Sequence, residues 1–213
     1  MSPSDSQRRP IVSIVIPCYN AGRYVREAIE SVLRQSPQPV ELIVVDDAST
    51  DESWNVVREF GNALLAERNT HNRGACYSRN RGTALASGRF LMFLDADDCI
   101  APDTVAALVS ALESSNAGLA ASRWNFLVPS GDRWIPVDSG FPKDPPSGDF
   151  LFAWLSGWYI PPCALMWRRS TLEQIGGWDE SLAANQDGDL VLRALLAGMR
   201  IQMADGGLGM YRK

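Results

Sequence analysis

The sequence predicts an α/β fold, a mostly parallel central sheet flanked by helices, with a small antiparallel part toward its second half. Three observations carry the layered sheet. Short β-branched apolar runs alternate with amphipathic stretches through the first hundred residues, the pattern of strand-helix repetition. Polar clusters follow those runs directly, at the carboxyl ends of the expected strands, where open α/β sheets collect ligands. The second half changes character, with two runs around a turn and then an unusually aromatic segment.

The elements follow in order. Ile11–Ile16 is a continuous apolar run suited to a strand buried on both faces. Val25, Ala28, Ile29, Val32 and Leu33 repeat at helical spacing, and Pro37 and Pro39 end that helix. Glu41–Val45 is the second strand. Ser49 and Glu52 have the spacing of a capping box before a helix carrying Val56, Val57 and Phe60. Ala63–Ala66 reads as a third strand, Ala75–Ala86 as a helix stopped by Gly88, and Phe90–Leu94 as a fourth strand. Pro102 suits a first helical position ahead of Val105, Leu108, Val109 and Leu112. Trp124–Val128 and Arg133–Val137 flank the turn Pro129–Asp132. Asp138–Gly148 is loop-like, Ser170 and Glu173 form another capping-box pattern before Gly176-Gly177, and a last helix runs from about Asp189 to Gly198.

Composition narrows the classes. The chain has 213 residues, 46% apolar and 21% charged, enough for one domain with a real core, and it is read as a single domain over 1–213. A formal net charge of -5 argues against nucleic acid as the main partner, since phosphate backbones select basic surfaces. Cys18, Cys76, Cys99 and Cys163 are scattered without a C-x-x-C pair, as reduced thiols of a cytoplasmic protein would be. The polar start, Met1–Pro10, has no apolar core, and no run approaches the ~18 apolar residues that a membrane span requires. A peripheral place at the inner face of a membrane, through a lipid substrate or a partner, stays open.

The chemistry concentrates at three strand ends. Asp95, Asp97 and Asp98 crowd into one turn after Leu94. A hard cation such as Mg²⁺ or Mn²⁺ would relieve their repulsion; a solvated acidic turn, or a helix cap from Asp98 or Asp103, is the plain alternative. Asp46 and Asp47 close the second strand, where an acid can accept from a base or ribose or simply shape the turn. Pro17, Tyr19 and Asn20 follow the first strand, with Tyr19 able to stack on a nucleobase or pack on its neighbours. Arg73, Arg79 and Arg81 cluster at a helix start, which suits phosphate or an exposed basic face. Asp187 precedes the last helix, as a general base on a loop or as that helix's cap. Trp154, Trp158, Tyr159 and Trp167 are either an acceptor-stacking wall or core. His71, the single histidine, cannot build a histidine metal site.

Taken together the chain resembles the family 2 glycosyltransferases. The motifs are Val12-Ser13-Ile14-Val15-Ile16-Pro17-Cys18-Tyr19-Asn20, Val45-Asp46-Asp47-Ala48-Ser49-Thr50-Asp51, Asn72-Arg73-Gly74 with Ser78-Arg79-Asn80-Arg81-Gly82, Leu94-Asp95-Ala96-Asp97-Asp98, Ile175-Gly176-Gly177-Trp178-Asp179-Glu180, and Gln186-Asp187 onward to Arg193. The resemblance implies the GT-A fold, with a nucleotide part over about 10–100 and an acceptor part over about 101–213. It implies an inverting enzyme that uses a divalent metal, Mn or Mg. Its donor would be a nucleoside diphosphate sugar, foremost a UDP-sugar, and its acceptor a sugar or glycolipid, in cell-surface polysaccharide or glycolipid synthesis. Pro17, Tyr19, Asn20, Asp47, Arg79, Asp95 and Ala96 would hold the nucleotide, Asp97 the metal, and Asp187 would be the base. Trp178, Asp179 and Gln186 would lie on the acceptor side. Two departures stand out. The acidic pair containing the base reads Gln186-Asp187, and the chain ends at Lys213, where family members commonly continue past a histidine, as a fragment or a short member would. The rival reading is a non-catalytic module that binds nucleotide sugar without turnover. A sugar nucleotidyltransferase would want a glycine-rich basic loop after the first strand, and a dehydrogenase a G-x-G-x-x-G; neither is present.

Overall fold

The computed structural model describes residues 11–36, 40–131, 133–141, 144–145 and 148–213. The polar start over 1–10, the helix breakers at 37 and 39, and position 132 of the expected hairpin turn lie outside them.

Two faces of one sheet explain the apolar runs. β1 (Val12–Cys18) is buried along its whole length. Its Val12, Ile14 and Ile16 enter one core and Val15 the other, the period-two alternation of a strand covered on both sides. β2 (Val40–Asp46) and β4 (Phe90–Phe93) flank β1 in parallel, and β3 (Leu65–Arg68) extends β2 in parallel. The first core is closed by α1 (Val25–Leu33), whose Val25, Ala28, Ile29 and Val32 point inward, with α2 (Ser53–Glu59) beside it. The second is closed by α3 (Ala75–Leu85).

Past β4 the connectivity turns. β5 (Cys99–Ile100) leads to α4 (Thr104–Glu113), which packs on the first core. β6 (Leu119–Ser130) and β7 (Arg133–Asp138) form the expected hairpin, longer than the sequence suggested, turning at Gly131 with φ 59°. α5 (Phe150–Leu155) follows, then β8 (Leu165–Arg168), α6 (Arg169–Ile175), α7 (Gln186–Leu196) and β9 (Ile201–Arg212). The sheet order is β3-β2-β1-β4-β8-β6-β9-β5, with β7 paired to β6. β8 runs antiparallel to both β4 and β6 and so joins the parallel half to the rest, while β6 and β9 pair in parallel.

Local expectations shift in instructive ways. Neither capping box forms. The Ser49 hydroxyl accepts instead from the Asn20 N–H at 3.0 Å, Asp51 accepts from the Ser53 N–H at 2.9 Å, and the N-cap residue Glu52 makes no side-chain cap. Ser170 already lies inside α6, which begins at Arg169. The third strand starts at Leu65, because Gly61–Ala63 is a 3₁₀ turn. α7 begins at Gln186, three residues before the expected start, so Asp187 sits in a helix's first turn rather than on a loop. Gly88 is not a left-handed helix stop. It lies against β1, its N–H donating to Ser13 Oγ at 2.8 Å, and a Cβ there would come within 2.6 Å of the Ser13 backbone nitrogen. Gly88→Ala is therefore expected to lower stability by about 1–3 kcal/mol through overpacking against backbone that cannot give way. Urea unfolding checks this, and an unchanged midpoint would contradict the contact.

Candidate functional site

A cleft of about 450 Å³ opens at the carboxyl ends of β1, β2 and β4. Pro17, Tyr19, Asn20, Asp47, Arg79, Asp95, Ala96 and Asp97 all line it, joined by Tyr24, Asn72, Gly74 and Ser78. Every position that the sequence assigned to nucleotide or metal thus reaches one cavity, because parallel strands in register deliver their carboxyl ends to one rim.

Each wall has a local cause. Asn20 adopts a left-handed φ of 50°, which asparagine tolerates. Its Oδ1 accepts from the Thr50 N–H at 2.8 Å, tying the first loop to the second and leaving Tyr19 half exposed over the cleft. Asp46 turns away to Arg68 Nε at 3.0 Å, whereas Asp47 anchors the third loop. Its carboxylate accepts from Asn69 Nδ2 at 2.6 Å, from the Gly74 N–H at 2.7 Å and from the Arg73 N–H, shared between both oxygens at 3.0 and 3.1 Å. These contacts place two on each Asp47 oxygen, which fills its roughly four acceptor sites. Beyond Gly74 the first turn of α3 faces the cleft, an arrangement suited to an anion.

Of the three clustered arginines only Arg79 enters the site. Arg73 stacks on Tyr77 at 3.7 Å, and Arg81 pairs with Glu67 at 2.5 Å. Arg79 is buried, with its guanidinium 4.3 Å from the Trp178 ring centroid. One nitrogen donates to Asp95 Oδ1 at 2.6 Å and the other to Gln186 Oε1 at 3.3 Å. This fork ties the acidic turn after β4 to the start of α7.

The crowded carboxylates separate by direction. Asp98 points into the core, where it is 1% exposed and accepts from the Arg212 N–H at 2.8 Å. Burial first, then the Asp95 charge, pushes its carboxyl well above the usual range. The expected cluster of three therefore reduces to a pair, and among the described residues no three acidic, histidine or cysteine side chains converge on a metal-sized point. Asp97 keeps a place in the cleft. Burial and then Asp95 raise its carboxyl, and no side chain among the described residues donates to it. An exposed carboxylate without a side-chain donor, beside a second one, fits a hard cation whose other ligands are waters and phosphate oxygens.

Asp187 lies in a neighbouring cavity of about 750 Å³, walled by Trp154, Trp158, Tyr159, Leu192 and Tyr211. Three of the four aromatics proposed as a wall are here; the fourth, Trp167, is core, paired with Leu91 across β4 and β8. Burial, then the charges of Asp98 and Asp95 and more weakly of Asp187, push the Tyr211 phenol up to about 12, so this ring feels both sets of carboxylates. Trp178 and Asp179 line neither cavity. Trp178 is buried under Arg79, and Asp179 holds a local turn by accepting from the Ser181 N–H and hydroxyl at 2.9 and 2.7 Å. Tyr24, Trp134, Tyr211 and Arg212 carry no local signal, since their partners are remote in sequence.

The structure thus has an α/β sheet with one cleft at its carboxyl rim and a second, acid-bearing cavity at the start of α7. The profile described as Glycosyl transferase family 2 matches residues 13–176, and the chain belongs to that family. It is 27% identical over 215 residues to the uncharacterized glycosyltransferase EpsJ of Bacillus subtilis, covering 96% of this chain and 61% of EpsJ. Residues 1–349 of S. aureus TarS in complex with UDP-GlcNAc superpose with a TM-score of 0.77 at 22% identity, covering 95% of this chain and 58% of that one. The mannosyltransferase PcManGT of Pyrobaculum calidifontis, in complex with GDP-Man and Mn²⁺, gives 0.71 at 22% identity, over 96% and 57%. The chain spans from 36 to 61% of the length of GlyG, EpsJ and YibD, three curated relatives it matches.

The Asp47 anchor predicts a local effect. Asp47→Ala removes the acceptor of the Arg73 and Gly74 amides, at about 1–3 kcal/mol. Hydrogen exchange at those two amides is expected to quicken, while β1 and β2 stay protected. Unchanged exchange at Arg73 and Gly74 would show that the loop holds itself.

Proposed function

We propose that the chain moves a sugar from a nucleoside diphosphate sugar, foremost a UDP-sugar, to the hydroxyl of a sugar or glycolipid acceptor, inverting the anomeric centre in one displacement. The observation that carries this is the Arg79 fork. It fastens the rim bearing Asp95 to the helix bearing Asp187, so that a donor cleft and an acid-bearing cavity adjoin.

In this reading Tyr19 covers the base, and Asp47, which lines the cleft, shapes the loop beside it. The first turn of α3 receives the diphosphate. Arg79 neutralises Asp95, so that the rim tolerates an anionic ligand. A divalent metal, Mn²⁺ or Mg²⁺, would be held by Asp97 with Asp95 beside it, and would offset charge developing on the leaving diphosphate. The acceptor ring lies against Trp154, Trp158 or Tyr159 in the second cavity. Asp187 takes the acceptor's hydroxyl proton as the oxygen bonds to the anomeric carbon and the bond to the diphosphate breaks. The family resemblance supports a setting in cell-surface polysaccharide or glycolipid synthesis. Among the described residues no helix is long and apolar enough to cross a membrane, and a lipid-linked acceptor would bring the chain to a membrane face peripherally.

Calorimetry with a panel of nucleoside diphosphates, with and without Mn²⁺, is expected to show one preferred nucleotide whose binding strengthens with the metal. Asp97→Ala should lose that strengthening. Asp187→Asn should bind donor as the wild type does, while transfer falls by about 10²–10⁴. A wild-type chain that binds tightly yet transfers to no acceptor would favour the non-catalytic module instead.

A further inference from the structure

The last strand ends in a buried cation with more contacts to the cleft than its neighbours in sequence suggest. The Arg212 side chain is 3% exposed. Its Nε donates to the Asp97 carbonyl at 2.5 Å, its Nη2 to Glu27 of α1 at 2.6 Å, and its backbone N–H to Asp98 Oδ1 at 2.8 Å. The guanidinium lies between two rings, 4.8 Å from the centroid of Tyr24 and 4.4 Å from that of Trp134. Tyr24 itself lines the cleft, and Trp134 comes from β7. The second terminal nitrogen, Nη1, is buried without an acceptor among the described residues.

This is a costly arrangement for packing alone. A buried donor left unsatisfied costs about 1–3 kcal/mol, and a hydrophobic side chain of similar volume would avoid it. What the guanidinium supplies, and an apolar side chain would not, is a planar fork that reaches the acidic turn and α1 at once, together with positive charge next to a turn that holds Asp95, Asp97 and Asp98. We propose that Arg212 is a positioning residue for the metal-dependent part of nucleotide binding: it clamps the Asp95–Asp98 turn by the Asp97 carbonyl, so that the Asp97 carboxylate faces the cleft. The clamp couples that turn to α1 and β7, beside the tie that Asp98 makes to the end of β9. The inference rests on the proposed nucleotide-sugar reading of the cleft.

The test compares wild type, Arg212→Lys and Arg212→Met by two measurements. The first is hydrogen exchange at residues 95–98 in the chain without ligand. The second is calorimetric titration with UDP, with and without Mn²⁺. Lysine keeps the charge but cannot span both acceptors. Arg212→Lys is therefore expected to keep its fold, to exchange faster at 95–98 with β1 and β2 still protected, and to lose about ten-fold or more of the Mn²⁺-dependent affinity, while metal-free binding changes little. Arg212→Met should lose at least as much of the metal-dependent affinity. Wild-type protection and metal response in Arg212→Lys overturn the proposal, because charge alone then suffices. Equal weakening with and without Mn²⁺, or loss of the fold in Arg212→Lys, overturns it by assigning Arg212 to stability alone. A wild-type chain that binds no nucleotide overturns the functional reading and this inference with it, whereas a wild type that responds to Mn²⁺ beside an unaffected variant sinks only the clamp.

Discussion

A sheet covered by helices on both faces has only its rims left for polar chemistry. β1 and β4 show the constraint in its strict form, since all seven residues of one and all four of the other are buried. Carboxylates can be placed only where such strands end. The parallel register of β1 with β2 and β4 then makes those ends coincide, so Tyr19, Asp47 and Asp95 meet although the chain separates them widely. The site follows from this geometry before any particular ligand is considered.

Gathering acids at one rim creates repulsion, and the fold relieves it in three ways. Asp47 is held by backbone and amide donors. Asp95 takes a cation, Arg79, whose other nitrogen reaches Gln186. Asp98 leaves the rim for the interior, where its carboxyl titrates far above the usual range. The amide at position 186 makes sense in this light. It accepts from Arg79 without adding a charge, so the guanidinium's positive charge remains available to Asp95. Asp97 takes no side-chain donor among the described residues and stays exposed at the cleft.

The two cavities have different characters because they are built from different halves. The first is lined by loops that follow parallel strands. The second is made where α5 and α7 meet the end of β9, and its aromatic walls face Asp187 and Asp189. Trp178 shows how misleading a single letter can be: it stands in an acceptor-side motif, yet its ring is the floor under Arg79 and packs edge-on to Phe93 at 5.0 Å. Its contribution to the site is to hold the fork.

The sequence by itself determined the parallel half and its rim. Continuous apolar runs specify strands buried on both faces, and the residues just after them, from Tyr19 to Asp97, must fall at one edge; these are local rules, readable within a few positions. Capping was less legible, because Ser49, Asp51 and Glu52 all offer acceptors to the same helix start and only the approach of the Asn20 loop chose among them. The tertiary structure alone decided the rest: that β8 runs backward between β4 and β6, that Asp98 turns inward, that Asp187 opens a helix, and that Arg212 reaches Glu27 across 185 positions. Such contacts depend on where distant segments are brought by the whole sheet, and no periodicity within a single segment encodes that.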